Sequence, residues 1–121
     1  MHFSRENSEA NLIVALEADR VKIRETWYSG SIIVTTDKIV APWQVGSELT
    51  VEQLAPAIEL APEIILVGIG PNPGLPDVEL IAALAERGIG LEMMDRAAAC
   101  RTYNVLIHEY RHVVAALIDR S

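Results

Sequence analysis

Ile64-Ile65-Leu66-Val67-Gly68-Ile69-Gly70-Pro71-Asn72-Pro73-Gly74 is an unbroken apolar run that stops at once in glycine and proline. A run without polar alternation suits a strand covered on both faces, as in a parallel sheet flanked by helices. Downstream of it come a helix-period segment, a second apolar run from Ile89 to Met93, and a further helical segment from Asp95. Strand, helix, strand, helix is the rhythm of an α/β domain.

Upstream, the first third reads as antiparallel strands. Leu12 to Leu16 and Val21-Lys22-Ile23 flank the polar Glu17-Ala18-Asp19-Arg20, which predicts a hairpin. Thr26-Trp27-Tyr28, Ser31 to Thr35 and Lys38-Ile39-Val40 are further β-prone stretches, with Asp37 marking a turn.

The spacing predicts three helices. Thr50 caps the first with Gln53 as its capping-box partner and Val51, Leu54, Ala55 and Ile58 facing a core; Pro56 forces a kink or two short turns. In the second, Pro76 takes the first helical position, Val78, Ile81, Leu84 and Ala85 form the apolar stripe, and Gly88 ends it. Asp95 caps the third, on which Ala99, Tyr103, Leu106 and Ile107 share a face. Val113 to Ile118 is short enough to be a strand, and its period does not decide the matter.

At 121 residues the chain is expected to be one domain over residues 12–121, with the polar residues 1–11 fraying. Half the residues are hydrophobic and 5% are aromatic, so the core must be aliphatic. A formal charge of −7 disfavours phosphate backbones and anionic membrane surfaces, so no nucleic acid partner is expected. Cys100 is the single cysteine, which excludes an intrachain disulfide and points to a reducing compartment. No run approaches the ~18 apolar residues of a membrane span, and a cytoplasmic location is expected.

Several stretches invite a chemical reading. The loop from Gly68 through Gly70 and Asn72 to Gly74 lies at the carboxyl end of a buried strand, where open α/β sheets hold ligands. It lacks the Gly-Lys-Ser/Thr of a P-loop, Pro73 stands where a dinucleotide fingerprint needs glycine, and Asp77 and Glu79 would repel phosphate. The plainer reading is a tight strand exit that needs positive φ.

His108-Glu109-Tyr110-Arg111-His112 matches H-E-x-x-H, in which two histidines one helical turn apart bind zinc and the glutamate activates water. That chemistry requires one helix through His112 and a third ligand, and the apolar run from Val113 predicts that the helix ends near Glu109. Arg101, Asn104 and His108 form a polar stripe, either a solvated face or a recognition surface in which Arg101 grips a carboxylate or phosphate. Cys100 is either a nucleophile with its pKa lowered by Arg101 or the helix start, or a small buried thiol. Trp27, Tyr28 and Trp43 cap a sheet edge or core end, or together mark a protein-binding patch.

Leu91-Glu92-Met93-Met94-Asp95 followed by Ala97-Ala98-Ala99-Cys100-Arg101-Thr102-Tyr103-Asn104-Val105-Leu106 resembles the C-terminal motif of a small-domain family of unknown function. That family includes the mitochondrial respiratory complex I (NADH dehydrogenase) assembly factor 3. Tyr28-Ser29-Gly30-Ser31, Pro42-Trp43, Gly68-Ile69-Gly70, Gly88-Ile89 and Val113 to Ile118 extend the likeness over nearly the whole chain. The resemblance implies a three-layer α/β domain with a central mixed β-sheet flanked by helices and preceded by antiparallel strands. In relatives a Glu-Gly-Arg turn follows the signature helix; here Glu109-Tyr110-Arg111 occupies it, so His108 and His112 fall on either side of a turn. Relatives usually carry threonine where Arg96 stands.

The resulting expectation is a non-enzymatic protein-interaction or complex-assembly accessory domain with a protein partner. Its ligand or partner surface comprises Gly68, Gly70, Asn72, Asp95, Arg101, Asn104, His108 and Arg111, and no catalytic residue, metal or cofactor is assigned. The alternative is a small-molecule site or enzyme pocket between the Gly68 to Gly74 loop and the Asp95 to Arg101 helix start. A third reading is a zinc-dependent hydrolase using His108, Glu109 and His112.

Overall fold

The computed structural model describes residues 10–119. Among these described residues eight strands and three helices follow one another as β1 (Ile13–Leu16), β2 (Arg20–Ile23), β3 (Thr26–Ser29), β4 (Ile32–Thr35), β5 (Lys38–Val40), α1 (Ala55–Ile58), β6 (Ile64–Ile69), α2 (Val78–Ala85), β7 (Gly90–Met94), α3 (Arg96–His108) and β8 (Val113–Ile118).

The central sheet is mixed, in the order β5-β4-β8-β6-β7. β6 runs parallel to β7 and β8, whereas β4 is antiparallel to β8 and β5. β8 lies in the middle and is buried at every residue, which explains why its sequence shows no alternation. Its side chains nevertheless alternate in space. Val113, Ala115 and Leu117 join one core with Leu66, Ala99, Tyr103 and Ile107, while Val114, Ala116 and Ile118 join the other with Trp43, Leu54, Leu80 and Leu84. α3 therefore covers one face and α1 with α2 the opposite one, the three-layer α/β arrangement expected.

The early strands divide in a way their local pattern does not show. β4 and β5 belong to the central sheet, but β1, β2 and β3 form a separate antiparallel sheet. Ile13, Val21 and Ile23 of that small sheet pack into the same core as α3.

Several local expectations need correction. The first helix is only Ala55–Ile58, preceded by turns; the Thr50 hydroxyl does accept from the Gln53 N–H at 3.2 Å, but Pro56 confines the helix to about one turn. α2 starts at Val78 with Asp77 as its cap, so Pro76 lies before the helix rather than at its first position. The buried face of α2 is Leu80 and Leu84, whereas Val78 is 76% exposed and Ile81 37% exposed. The fraying expected of residues 1–11 fails at its end, because Ala10 and Asn11 are buried; residues 1–9 lie outside the described residues. Asn11 is held by bonds to the Thr36 and Thr35 carbonyls and accepts from the Tyr103 hydroxyl at 2.7 Å.

Candidate functional site: the signature helix and the strand-end cleft

The signature helix α3 begins at Asp95, whose carboxylate accepts from the Ala98 N–H at 2.8 Å. That bond satisfies a helix-end donor, so this carboxylate is already engaged in capping. One turn on, Ala99 packs against Gly68. A Cβ added to Gly68 would lie 2.7 Å from the Ala99 Cβ and 2.9 Å from Leu117 Cδ2, so glycine lets strand and helix approach. Gly68 is thus closed off from any ligand, contrary to its expected place on a recognition surface. Gly70, at φ +43, and Gly74, at φ +75, make the sharp strand exit, and Asn72 is exposed on the loop between them.

Asn104 is also drawn into the fold. Its Oδ1 accepts from the Ile13 N–H at 3.0 Å and its Nδ2 donates to the Ile13 carbonyl at 2.7 Å. A side-chain amide thereby supplies both bonds that a neighbouring strand would give the edge of β1. Tyr103 is fully buried, and its phenol is pushed well above the ordinary value, mainly by burial. The polar stripe is therefore divided. Asn104 faces the small sheet, while Arg101 and His108 stay exposed, with His108 Nδ1 donating to the Asn104 carbonyl at 2.8 Å.

Cys100 is buried, and desolvation pushes its thiol up to about 11 against the opposing pull of the Arg96 and Arg101 charges. Burial and that shift favour the buried-thiol reading over the nucleophile, since the thiolate is the reactive form. Arg96 is 9% exposed and donates through Nη1 to the Ala18 carbonyl at 2.7 Å, but its Nε and Nη2 are buried without a hydrogen-bond partner among the described residues.

α3 ends at His108, with Glu109 as its cap, and Tyr110 turns the chain at φ +59. His112 then leads into β8, its backbone N–H donating to a Glu63 carboxylate oxygen at 3.0 Å. That bond, aided by the Arg111 guanidinium 3.5 Å away, holds the Glu63 carboxyl below its usual range. The continuous helix that H-E-x-x-H chemistry demands is broken here, which removes the zinc-hydrolase geometry. Arg111 is taken up in that exposed ion pair.

The aromatic residues do not form one exposed patch. Trp43 is buried and donates through Nε1 to the Gln53 carbonyl at 2.8 Å. Trp27 is half-buried under the Arg20 guanidinium, 4.0 Å from the ring centre.

Concavities lie beside these elements. A shallow groove of about 220 Å³ between β1 and α3 is lined by Val14, Ala97, Cys100, Arg101 and Asn104, among others. A larger cleft of about 520 Å³ lies at the carboxyl ends of the three parallel strands, touching Ile69 of β6, Met93 of β7 and Ile118 of β8. The loop residues Pro73, Leu75, Pro76 and Asp77 wall it on one side and Ser47 to Thr50 on another. Asp95 and Arg101 do not converge with the Gly68 to Gly74 loop in either lining. The cleft residues Leu49 and Leu75 escaped the sequence reading, which took Met93 only as part of a strand; Leu75, an isolated leucine between Gly74 and Pro76, was the available signal.

A model of the family described as "Protein of unknown function (DUF498/DUF598)" matches residues 13–118. The Xenopus tropicalis NADH dehydrogenase (ubiquinone) 1 alpha subcomplex assembly factor 3 is 33% identical over 88% of this chain and 67% of its own length. The mouse and cattle proteins of the same name are matched over about half their length, 48% and 45%. A Bordetella parapertussis crystal structure, 35% identical, superposes with a TM-score of 0.83 over 91% of this chain and 96% of that one. The crystal structure of an outer membrane protein from Bartonella henselae, 30% identical, gives 0.80 over 92% and 95%.

Proposed function

The chain belongs to the DUF498/DUF598 family, and from that premise we propose that it is a non-enzymatic accessory domain that binds another protein during assembly of a complex. The observation that carries this reading is the 33% identity, over 88% of the chain, with a protein named as a respiratory-complex assembly factor. The side chains of α3 support it from another direction. Asp95, Tyr103 and Asn104 are hydrogen-bonded within the fold, and the Cys100 thiol is buried. A surface that recognises by shape needs none of these groups to be free.

The recognition surface in this reading is the strand-end cleft with the exposed loop around Asn72 and Leu75. A cytoplasmic, reducing location goes with it, supported by a lone buried thiol. Among the described residues no helix is long and apolar enough to cross a membrane.

A small-molecule site is a second reading, favoured by one observation: the cleft of about 520 Å³ sits where parallel strands end.

The test is capture of the intact chain with cross-linking from cells of its own source, combined with fractionation. A protein bound at one-to-one stoichiometry in the soluble fraction supports the assembly reading. Isolation of the chain alone, or with a bound metabolite, contradicts it.

A further inference from the structure

The strand-end cleft has an apolar floor made by Ile69, Met93, Ile118 and Leu80. Leu75 stands at its lip, 93% exposed, and Val78, three residues on at the start of α2, is 76% exposed. A single exposed leucine is ordinary on a protein surface. One at the lip of an apolar cleft makes a patch of the kind that partners cover.

The rim has one sign of charge. Glu48 and Asp77 line the cleft, and Glu79 lines a groove that continues from it past Leu49, Thr50 and Leu80. Among the described residues no Lys, Arg or His lines either concavity. The chain as a whole carries −7. Three prolines, Pro71, Pro73 and Pro76, restrict the loop that bears Leu75, which lowers the entropy lost when something seats against it.

We propose that this cleft binds a short segment of a partner protein that presents a leucine, methionine or phenylalanine flanked by lysine or arginine. The apolar side chain enters between Leu75 and Met93, and the basic flanks meet Glu48, Asp77 and Glu79. Charge complementarity selects this occupant. A second copy of the chain would set carboxylates against carboxylates, and an anionic lipid surface would be repelled. The proposal rests on the reading of the domain as a protein-binding factor and adds the chemistry of what it binds.

The experiment is panning of a displayed library of random peptides of about twelve residues against the whole protein. Wild type, Leu75→Ser and Glu48→Lys are compared, after circular dichroism shows the same fold for all. Wild type is expected to enrich peptides with an apolar residue between Lys or Arg. In fluorescence anisotropy, Leu75→Ser should weaken an enriched peptide about ten-fold or more, as loss of one apolar anchor requires. Glu48→Lys should weaken it about three- to five-fold, an effect that fades at high salt.

Enrichment of acidic peptides, no enrichment, or peptide binding indifferent to both variants overturns the proposal. So does light scattering that shows a dimer broken by Leu75→Ser, because the occupant is then a second copy. A captured protein partner that survives both substitutions also sinks the cleft assignment while leaving the assembly reading intact. Basic-apolar peptides bound through Leu75 and Glu48 without any cellular partner do the reverse.

Discussion

Asn104 grips the backbone of Ile13 from one side chain, its Nδ2 2.7 Å from the carbonyl oxygen and its Oδ1 3.0 Å from the amide nitrogen, across a gap of 91 positions in sequence. The small sheet is thereby fastened to the signature helix. Asn104→Ala leaves a donor and an acceptor of β1 without partners, each costing about 1–3 kcal/mol where water cannot replace the bond. Because the site is only half-buried, a loss of about 2 kcal/mol in urea unfolding is expected. A loss below about 0.5 kcal/mol, the range of an ordinary surface substitution, would contradict the fastening role.

Gly68 and Ala99 set how closely strand and helix approach. Gly68→Ala places a methyl group 2.7 Å from the Ala99 Cβ and is expected to cost about 1–3 kcal/mol through overpacking. Adding Ala99→Gly should return part of that loss, giving a favourable coupling in a double-mutant cycle. Strict additivity would mean that the two residues do not press on each other.

The Cys100 thiol, raised by burial to about 11 from an ordinary 9.0, links stability to alkaline pH. Below pH 9 both folded and unfolded chains keep the proton, and the group contributes no pH dependence. Between about 9 and 11 the unfolded chain releases a proton that the folded chain retains, so stability falls as pH rises, by up to about 1.4 kcal/mol per pH unit. The raised Tyr103 phenol acts with the same sign once the unfolded phenol, at an ordinary 10.0, begins to ionise. Cys100→Ala should flatten the profile just above pH 9, measured by urea unfolding at a series of pH values. An unchanged slope in that variant would exclude the thiol as its source.

How much of this was legible in the sequence follows from the range of the forces. The Ile64 and Ile89 runs, the Asp95 cap and the turn after His108 rest on interactions between near neighbours, and each was readable from composition and spacing. The division of the first five strands between two sheets depends on pairing of β4 with β8, some 80 residues away, and period-two alternation carries no trace of it. That is why Asn104, polar and apparently on a solvated stripe, read as a recognition residue. The face opposite the central sheet is not bare but is met by β1. Arg96 escaped for the same reason, since the Ala18 carbonyl that meets it arrives from the turn between β1 and β2, whereas the buried thiol of Cys100 was one of the two readings its alanine-rich surroundings offered.

Arg96 offers a test of that burial. Among the described residues its Nε and Nη2 have no partner, and a guanidinium cannot shed its charge to escape the cost. Arg96→Met, of similar length and without the charge, is expected to raise unfolding free energy by about 1–2 kcal/mol, as replacement of a poorly compensated buried ion does. Destabilisation of that size instead would show that the Nη1 bonds to the Ala18 and Glu17 carbonyls outweigh the unmet Nε and Nη2 donors.

The claim that this domain works by recognition, with its polar signature residues spent on holding the fold, is tested most directly by native mass spectrometry of cross-linked captures. Wild type, Cys100→Ala and Leu75→Ser are compared in parallel. A partner held one-to-one by wild type and Cys100→Ala, and lost from Leu75→Ser, is the expected result. A partner or ligand that vanishes with Cys100→Ala while Leu75→Ser retains it would contradict the claim and return the function to the helix α3.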